Sequence, residues 1–176
     1  PKNIAMTAEI AEGWQPLFFH PGKWELAFGA ALEEGLAKRD PELGPLEIQL
    51  QIGFAIGEPS PEAQQRLRDQ LALYIGGMGA RDKNFYNQLA CRYGYEAEAK
   101  EIQDLYLDGR KEDAARAVPE DLLRAVSLLG EEDEIARRVE EFRAAGVTTF
   151  LLNPLAETAE QRVADVGRLA ALVRQA

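Results

Sequence analysis

His20 is the single histidine of the chain. It closes the apolar run Leu17-Phe18-Phe19 just before a Pro21-Gly22 turn. An imidazole titrates near neutrality and can orient or hydrogen-bond a bound ring. The aliphatic and aromatic groups beside it can pack on a ring face. The same histidine also suits a plain loop position, and Phe18 or Phe19 also suits a core. A second candidate is Pro1-Lys2-Asn3, which reads as the first turn of a helix. The free N–H groups and positive dipole end of such a turn form an anion site. Lys2 would add charge and Asn3 a donor, whereas Pro1 contributes geometry only. An exposed helix start with no ligand has the same composition. The third candidate is Asn84-Phe85-Tyr86, after the cluster Gly76-Gly77-Met78-Gly79. These side chains either line a substrate opening or pack helices together.

Other chemistries are excluded on residue type. The glycine cluster is not GxGxxG, lacks the Lys-Ser/Thr of a phosphate loop, and follows a helix. It reads as a turn that lets helices approach closely. Cys91 has neither a second cysteine nor a nearby histidine, so metal and nucleophile logic both fail. The run Glu131-Glu132-Asp133-Glu134 suits a helix start, where the dipole favours negative charge. No metal site is expected, and no Ser-His-Asp set can be assembled. A net charge of −10 argues against nucleic acid and against anionic membrane surfaces. No apolar run approaches the roughly 20 residues of a membrane span. One cysteine permits no intrachain disulfide and fits a reducing, cytoplasmic setting.

The elements that must position these residues follow from periodicity and punctuation. Helices are predicted over 1–12, 24–38, 61–74, 131–145 and 157–176, with several short ones between 81 and 129. Strands are predicted over 14–19, 46–56 and 147–152. Helices and strands alternate, so the fold class is α/β with a parallel sheet. With 176 residues and 46% hydrophobic content the chain can bury one core. Three strands cannot close the eight-stranded barrel that such alternation commonly builds. Left alone they would expose long apolar edges, which invite aggregation. The helix at Pro1 also has no strand before it. Other polypeptide is therefore expected to complete the sheet.

Several stretches resemble the luciferase-like monooxygenase superfamily, and more narrowly its F420-dependent, methylene-tetrahydromethanopterin-reductase-like branch. They are Pro1-Lys2-Asn3 with Ala8-Glu9-Ile10-Ala11-Glu12-Gly13-Trp14, then Ala72-Leu73-Tyr74-Ile75-Gly76-Gly77-Met78-Gly79 with Lys83-Asn84-Phe85-Tyr86-Asn87, and Ser127-Leu128-Leu129-Gly130 with Ala144-Ala145-Gly146-Val147. Together they span nearly the whole chain. The resemblance implies the C-terminal half of a TIM (β/α)8 barrel over 1–176. The three strands would then be the sixth to eighth, with a helical insertion over about 76–130 before the last. It implies hydride transfer between coenzyme F420 and an organic substrate. The alternatives are an FMN-dependent monooxygenase and a non-catalytic half that binds a partner half or ligand. Pro1, Lys2, Asn3, Leu17, Phe18, Phe19 and His20 would hold the cofactor, and Asn84, Phe85 and Tyr86 would border the substrate opening. An N-terminal barrel half and a homodimer are implied as partners. The departure from the family is the absence of that N-terminal half, where most catalytic groups are expected.

Overall fold

The structure, a computed structural model, describes residues 2–175. Its centre is strand β2 (Glu47–Ile56), where buried Ile48, Leu50, Ile52 and Phe54 alternate with more exposed neighbours. All of its strand partners run parallel. β1 (Gly13–Trp14) takes Glu47 and Ile48, β3 (Leu128–Gly130) takes Phe54 to Ile56, and β4 (Thr149–Pro154) takes Gln49 to Phe54. Phe54 pairs with both β3 and β4, so these two lie on opposite edges of β2. The predicted strand over 46–56 is thus the interior strand of the sheet, not an edge.

Two strand predictions change. Of the apolar run Trp14–Phe19 only Trp14 joins the sheet, in the two-residue strand Gly13–Trp14. Pro16 cannot donate to a ladder, and Phe18 takes a left-handed φ of 54°. Conversely, Leu128–Gly130, predicted at the end of the helical stretch, is a strand. Three residues are too few for any periodicity, and their β character comes from pairing with β2. The sheet therefore has four strands rather than three.

The helices follow local rules. α1 (Lys2–Ile10) buries Ile4, Ala5 and Ala8 against α2 (Ala30–Leu36). That contact depends on Gly35, because a Cβ there would stand 2.1 Å from the Ala5 carbonyl oxygen. Arg39 closes the end of α1 by donating to the carbonyls of Ala8 and Ala11 at 2.9 and 2.6 Å. α3 (Pro61–Ala72) begins with the Ser60 hydroxyl accepting from the Ala63 amide, and with proline in the first turn. It buries Ala63, Leu67 and Leu71 at intervals of four residues. It runs into a π-helical turn, Leu73–Gly77. The glycines there are not a turn between helices, but they do allow close approach. A Cβ on Gly76 or Gly77 would stand 2.5 Å from the Tyr106 side chain, at its Cβ and its ring respectively.

Four helices fill most of the long stretch: α4 (Phe85–Arg92), α5 (Glu96–Leu107), α6 (Lys111–Arg116) and α7 (Glu120–Ala125). α8 (Glu132–Ala144) has acidic residues in its first turn and Arg143 in its last, as the helix dipole favours. It buries Ile135, Val139 and Phe142. α9 (Ala159–Gln175) packs on α8 and β4. The face of the sheet opposite Ile48 and Leu50 is largely polar, and Leu67 of α3 packs over it at Gly53. Gln49, Gln51 and Gly53 stand beside Thr149, Leu151 and Asn153, and Gln51, Leu151 and Asn153 are exposed.

Candidate functional site

A cleft opens on the sheet between the middle of β2, the end of β4 and the approach to β3. In parallel α/β folds ligands bind near the carboxyl ends of the strands, where Asn153 of β4 stands. The loop after β1 supplies Leu17 and Phe18, β2 supplies Gln51 and Gly53, the approach to β3 supplies Ser127, and β4 supplies Asn153. Leu67 and Leu71 of α3 back it. Among the described residues the Gln51 and Asn153 amides make no hydrogen bond to protein, so their donors and acceptors are available. Nothing but register brings these two together, through the neighbouring pairs Gln51–Leu151 and Gly53–Asn153. The sequence signal for Asn153 is its place at a strand end before Pro154. Gln51 is marked only by its polar character within an alternating strand.

Phe18 is the one non-glycine residue with positive φ among the described residues. Such a conformation costs an aromatic residue on the order of 1–3 kcal/mol and tends to occur at functional sites. Its consequence here is to separate two adjacent rings. Phe18 turns toward the cleft and meets Tyr74 and Tyr86 edge-on, at centroid distances of 5.2 and 5.8 Å. Phe19 turns into the core, only 2% exposed, among Trp24, Phe28 and Phe142.

His20 stands half-buried beside this loop. Its Nδ1 accepts from the Gly22 amide at 3.2 Å, which leaves the neutral ring's proton on Nε2. Burial, then the Lys23 and Arg138 charges, lower its pKa to about 4, while Asp121 opposes them. The ring also meets Tyr93 at 5.4 Å. Folded His20 is therefore neutral at pH 7. The unfolded chain protonates near pH 6.5, so the folded state loses stability as pH falls from about 6.5 toward 4. We expect the wild-type Tm to drop more steeply over that interval than the Tm of His20→Asn. Parallel curves in a pH series of thermal melts would refute this.

The remaining predicted residues lie elsewhere. Lys2 and Asn3 are exposed at the start of α1 and do not line the cleft. Pro1 lies outside the described residues. Asn84 is 1% exposed and tied on every side. Its amide donates to the Tyr74 and Ile75 carbonyls, both at 2.9 Å, and its oxygen accepts from the Tyr86 and Asn87 amides. Phe85 is 41% exposed, and Tyr86 packs on Phe18 and Tyr74. Burial raises the Cys91 thiol pKa, so it is no activated nucleophile. Among the described residues no cluster of His, Cys, Asp or Glu could hold a metal. Among them, too, no helix is long and apolar enough to cross a membrane.

Comparison with known proteins adds the ancestry. A family model described as luciferase-like monooxygenase matches residues 1–149. The chain is 34% identical over 175 residues to a Mycobacterium tuberculosis protein assigned as a coenzyme F420-dependent oxidoreductase, covering 98% of this chain and 48% of that one. It is 25% identical to the 5,10-methylenetetrahydromethanopterin reductase of Methanopyrus kandleri, covering 96% of this chain and 46% of that one. The chain thus spans about half the length of these relatives. Among solved structures it resembles the coenzyme F420-dependent tetrahydromethanopterin reductase of Methanopyrus kandleri, with TM-score 0.64, 22% identity, and coverage of 95% and 45%. It also resembles an F420-dependent secondary alcohol dehydrogenase in complex with an F420-acetone adduct, with TM-score 0.57, 16% identity, and coverage of 99% and 46%. At such identities these two speak for the fold. With the family match covering most of its length, this chain belongs to the luciferase-like monooxygenase family.

Proposed function

We propose that the chain forms part of an F420-dependent oxidoreductase that transfers a hydride between the deazaflavin and a small organic substrate. The observation that carries this is the 34% identity, across 98% of the chain, to a protein assigned as a coenzyme F420-dependent oxidoreductase. The cleft residues fit one side of such a cofactor. Leu17 and Phe18 offer apolar surface to a flat ring, and the unpaired amides of Gln51 and Asn153 suit its polar edge. The cleft itself holds only about 30 Å³, whereas ligand pockets run to about 300–1,000 Å³. The chain therefore supplies a wall, and the rest of the pocket comes from further barrel strands. This agrees with relatives of twice the length, and with a reading of the chain as the C-terminal half of a (β/α)8 barrel.

In this reading the bound cofactor supplies the hydride chemistry. The protein binds, orients and shields it. Leu17 and Phe18 exclude water from the ring face. Gln51 and Asn153 fix its in-plane orientation. The α1 start, with Lys2 and Asn3, is suited to an anionic tail. The complete enzyme is read as a cytoplasmic homodimer.

The test is a titration of F420 into the protein, followed by deazaflavin fluorescence, with intact mass measured on the same sample. Saturable binding, weakened by Gln51→Ala together with Asn153→Ala, is the expected result. Binding of FMN in place of F420 would assign a flavin monooxygenase. Binding of neither would make the chain a non-catalytic half.

A further inference from the structure

The strained loop that carries Phe18 is held from far away in sequence. Tyr93 caps the end of α4 and is 2% exposed. Its phenol donates to the Phe18 carbonyl at 3.1 Å and accepts from the His20 amide at 3.3 Å. One hydroxyl thus bridges the two ends of the Phe18–His20 segment. The carbonyl of Tyr93 accepts from the Lys23 ammonium, and its ring meets those of His20 and Phe28 at 5.4 and 6.5 Å. Burial raises the phenol pKa, so it remains protonated and keeps its donor. The next tyrosine, Tyr95, spends its hydroxyl on Asp121 at 2.8 Å instead.

We infer that Tyr93 is a positioning residue of the cleft: it clasps the loop after β1 and thereby fixes where the Phe18 ring stands. Phe18 at φ 54° has no local reason to stay left-handed, because L side chains disfavour that region. A contact that over-determines the segment must hold it, and Tyr93 grips it from both sides. α4, none of whose residues lines the cleft, thereby controls part of its apolar wall through its cap residue. The effect on the loop stands on this geometry alone. The effect on ligand rests on the F420 reading above.

The comparison is Tyr93→Phe against Tyr95→Phe in the complete protein. Each removes one hydroxyl and keeps its ring. Hydrogen exchange of the His20 amide and the F420 dissociation constant are measured for both. Tyr93→Phe should speed His20 exchange and weaken F420 about tenfold, the factor that one net hydrogen bond supports. Tyr95→Phe should do neither. Unchanged His20 exchange in Tyr93→Phe overturns the clasp. Faster exchange with unchanged F420 affinity overturns the positioning role. If the wild-type protein binds no deazaflavin, the F420 reading falls, and the exchange result alone decides whether Tyr93 holds the loop.

Discussion

Replacing Asn84 by alanine should lower the unfolding free energy by about 3 kcal/mol or more, because each buried polar group left unpaired costs roughly 1–3 kcal/mol. Asn84 satisfies groups at two helix ends at once. Its Nδ2 donates to the Tyr74 carbonyl and, together with Asn87 Nδ2, to the Ile75 carbonyl, and its Oδ1 caps the first amides of α4. Alanine removes both functions in one step. Asn84→Asp keeps the cap but turns a buried carboxylate oxygen on two carbonyls, so it should cost at least as much as alanine. For a chain of this size each kcal/mol lowers Tm by about 2–4 °C, which gives a loss of about 6 °C or more for Asn84→Ala in calorimetry. Sequence reading places Asn84 at a substrate opening, and that role makes a different forecast. If Asn84→Ala melts like wild type and raises only the substrate KM, the structural assignment is wrong.

Elements with many periodic positions were legible in the sequence. In α8 the apolar residues Ile135, Val139 and Phe142 recur at helical spacing, and Ser60-Pro61 marks the start of α3 by its own chemistry. β2 is long enough for its alternation to declare it. The missing pieces were those whose state is set from outside. Leu128–Gly130 becomes a strand only because β2 has unpaired groups to offer. Leu17–Phe19 has strand-like composition, yet its pairing ends at Trp14, and Pro16 and the left-handed Phe18 carry the chain away. No rule of composition would put an aromatic residue at positive φ. That conformation depends on Tyr93, more than 70 residues on. For the same reason the sequence draws attention to Phe18 and His20 but not to Gln51 and Asn153. The last two become neighbours of the loop only through strand register.

Phe142→Ala should be the most destabilising single substitution in the core, at about 3–5 kcal/mol, the range for deleting a buried phenyl group. Phe142 is 0% exposed. Its ring stands 5.6 Å from Phe150 of β4, edge-on, and 6.4 Å from Phe19. It therefore lies beneath both chain segments that feed the cleft. The Arg138 guanidinium also rests over it at 5.3 Å, where burial lowers the arginine pKa. Alanine would leave a cavity below the residue that follows Phe18 and would take the ring away from a partly desolvated charge. Leucine refills most of the space, and such apolar exchanges usually cost less than about 1.5 kcal/mol. The pair of variants separates packing from chemistry. Denaturant unfolding should rank wild type, Phe142→Leu and Phe142→Ala in that order. A Phe142→Ala loss within the roughly 0.5 kcal/mol typical of surface positions would mean that this ring does not join α8 to the sheet. The account of how the loop after β1 is seated would then fail with it.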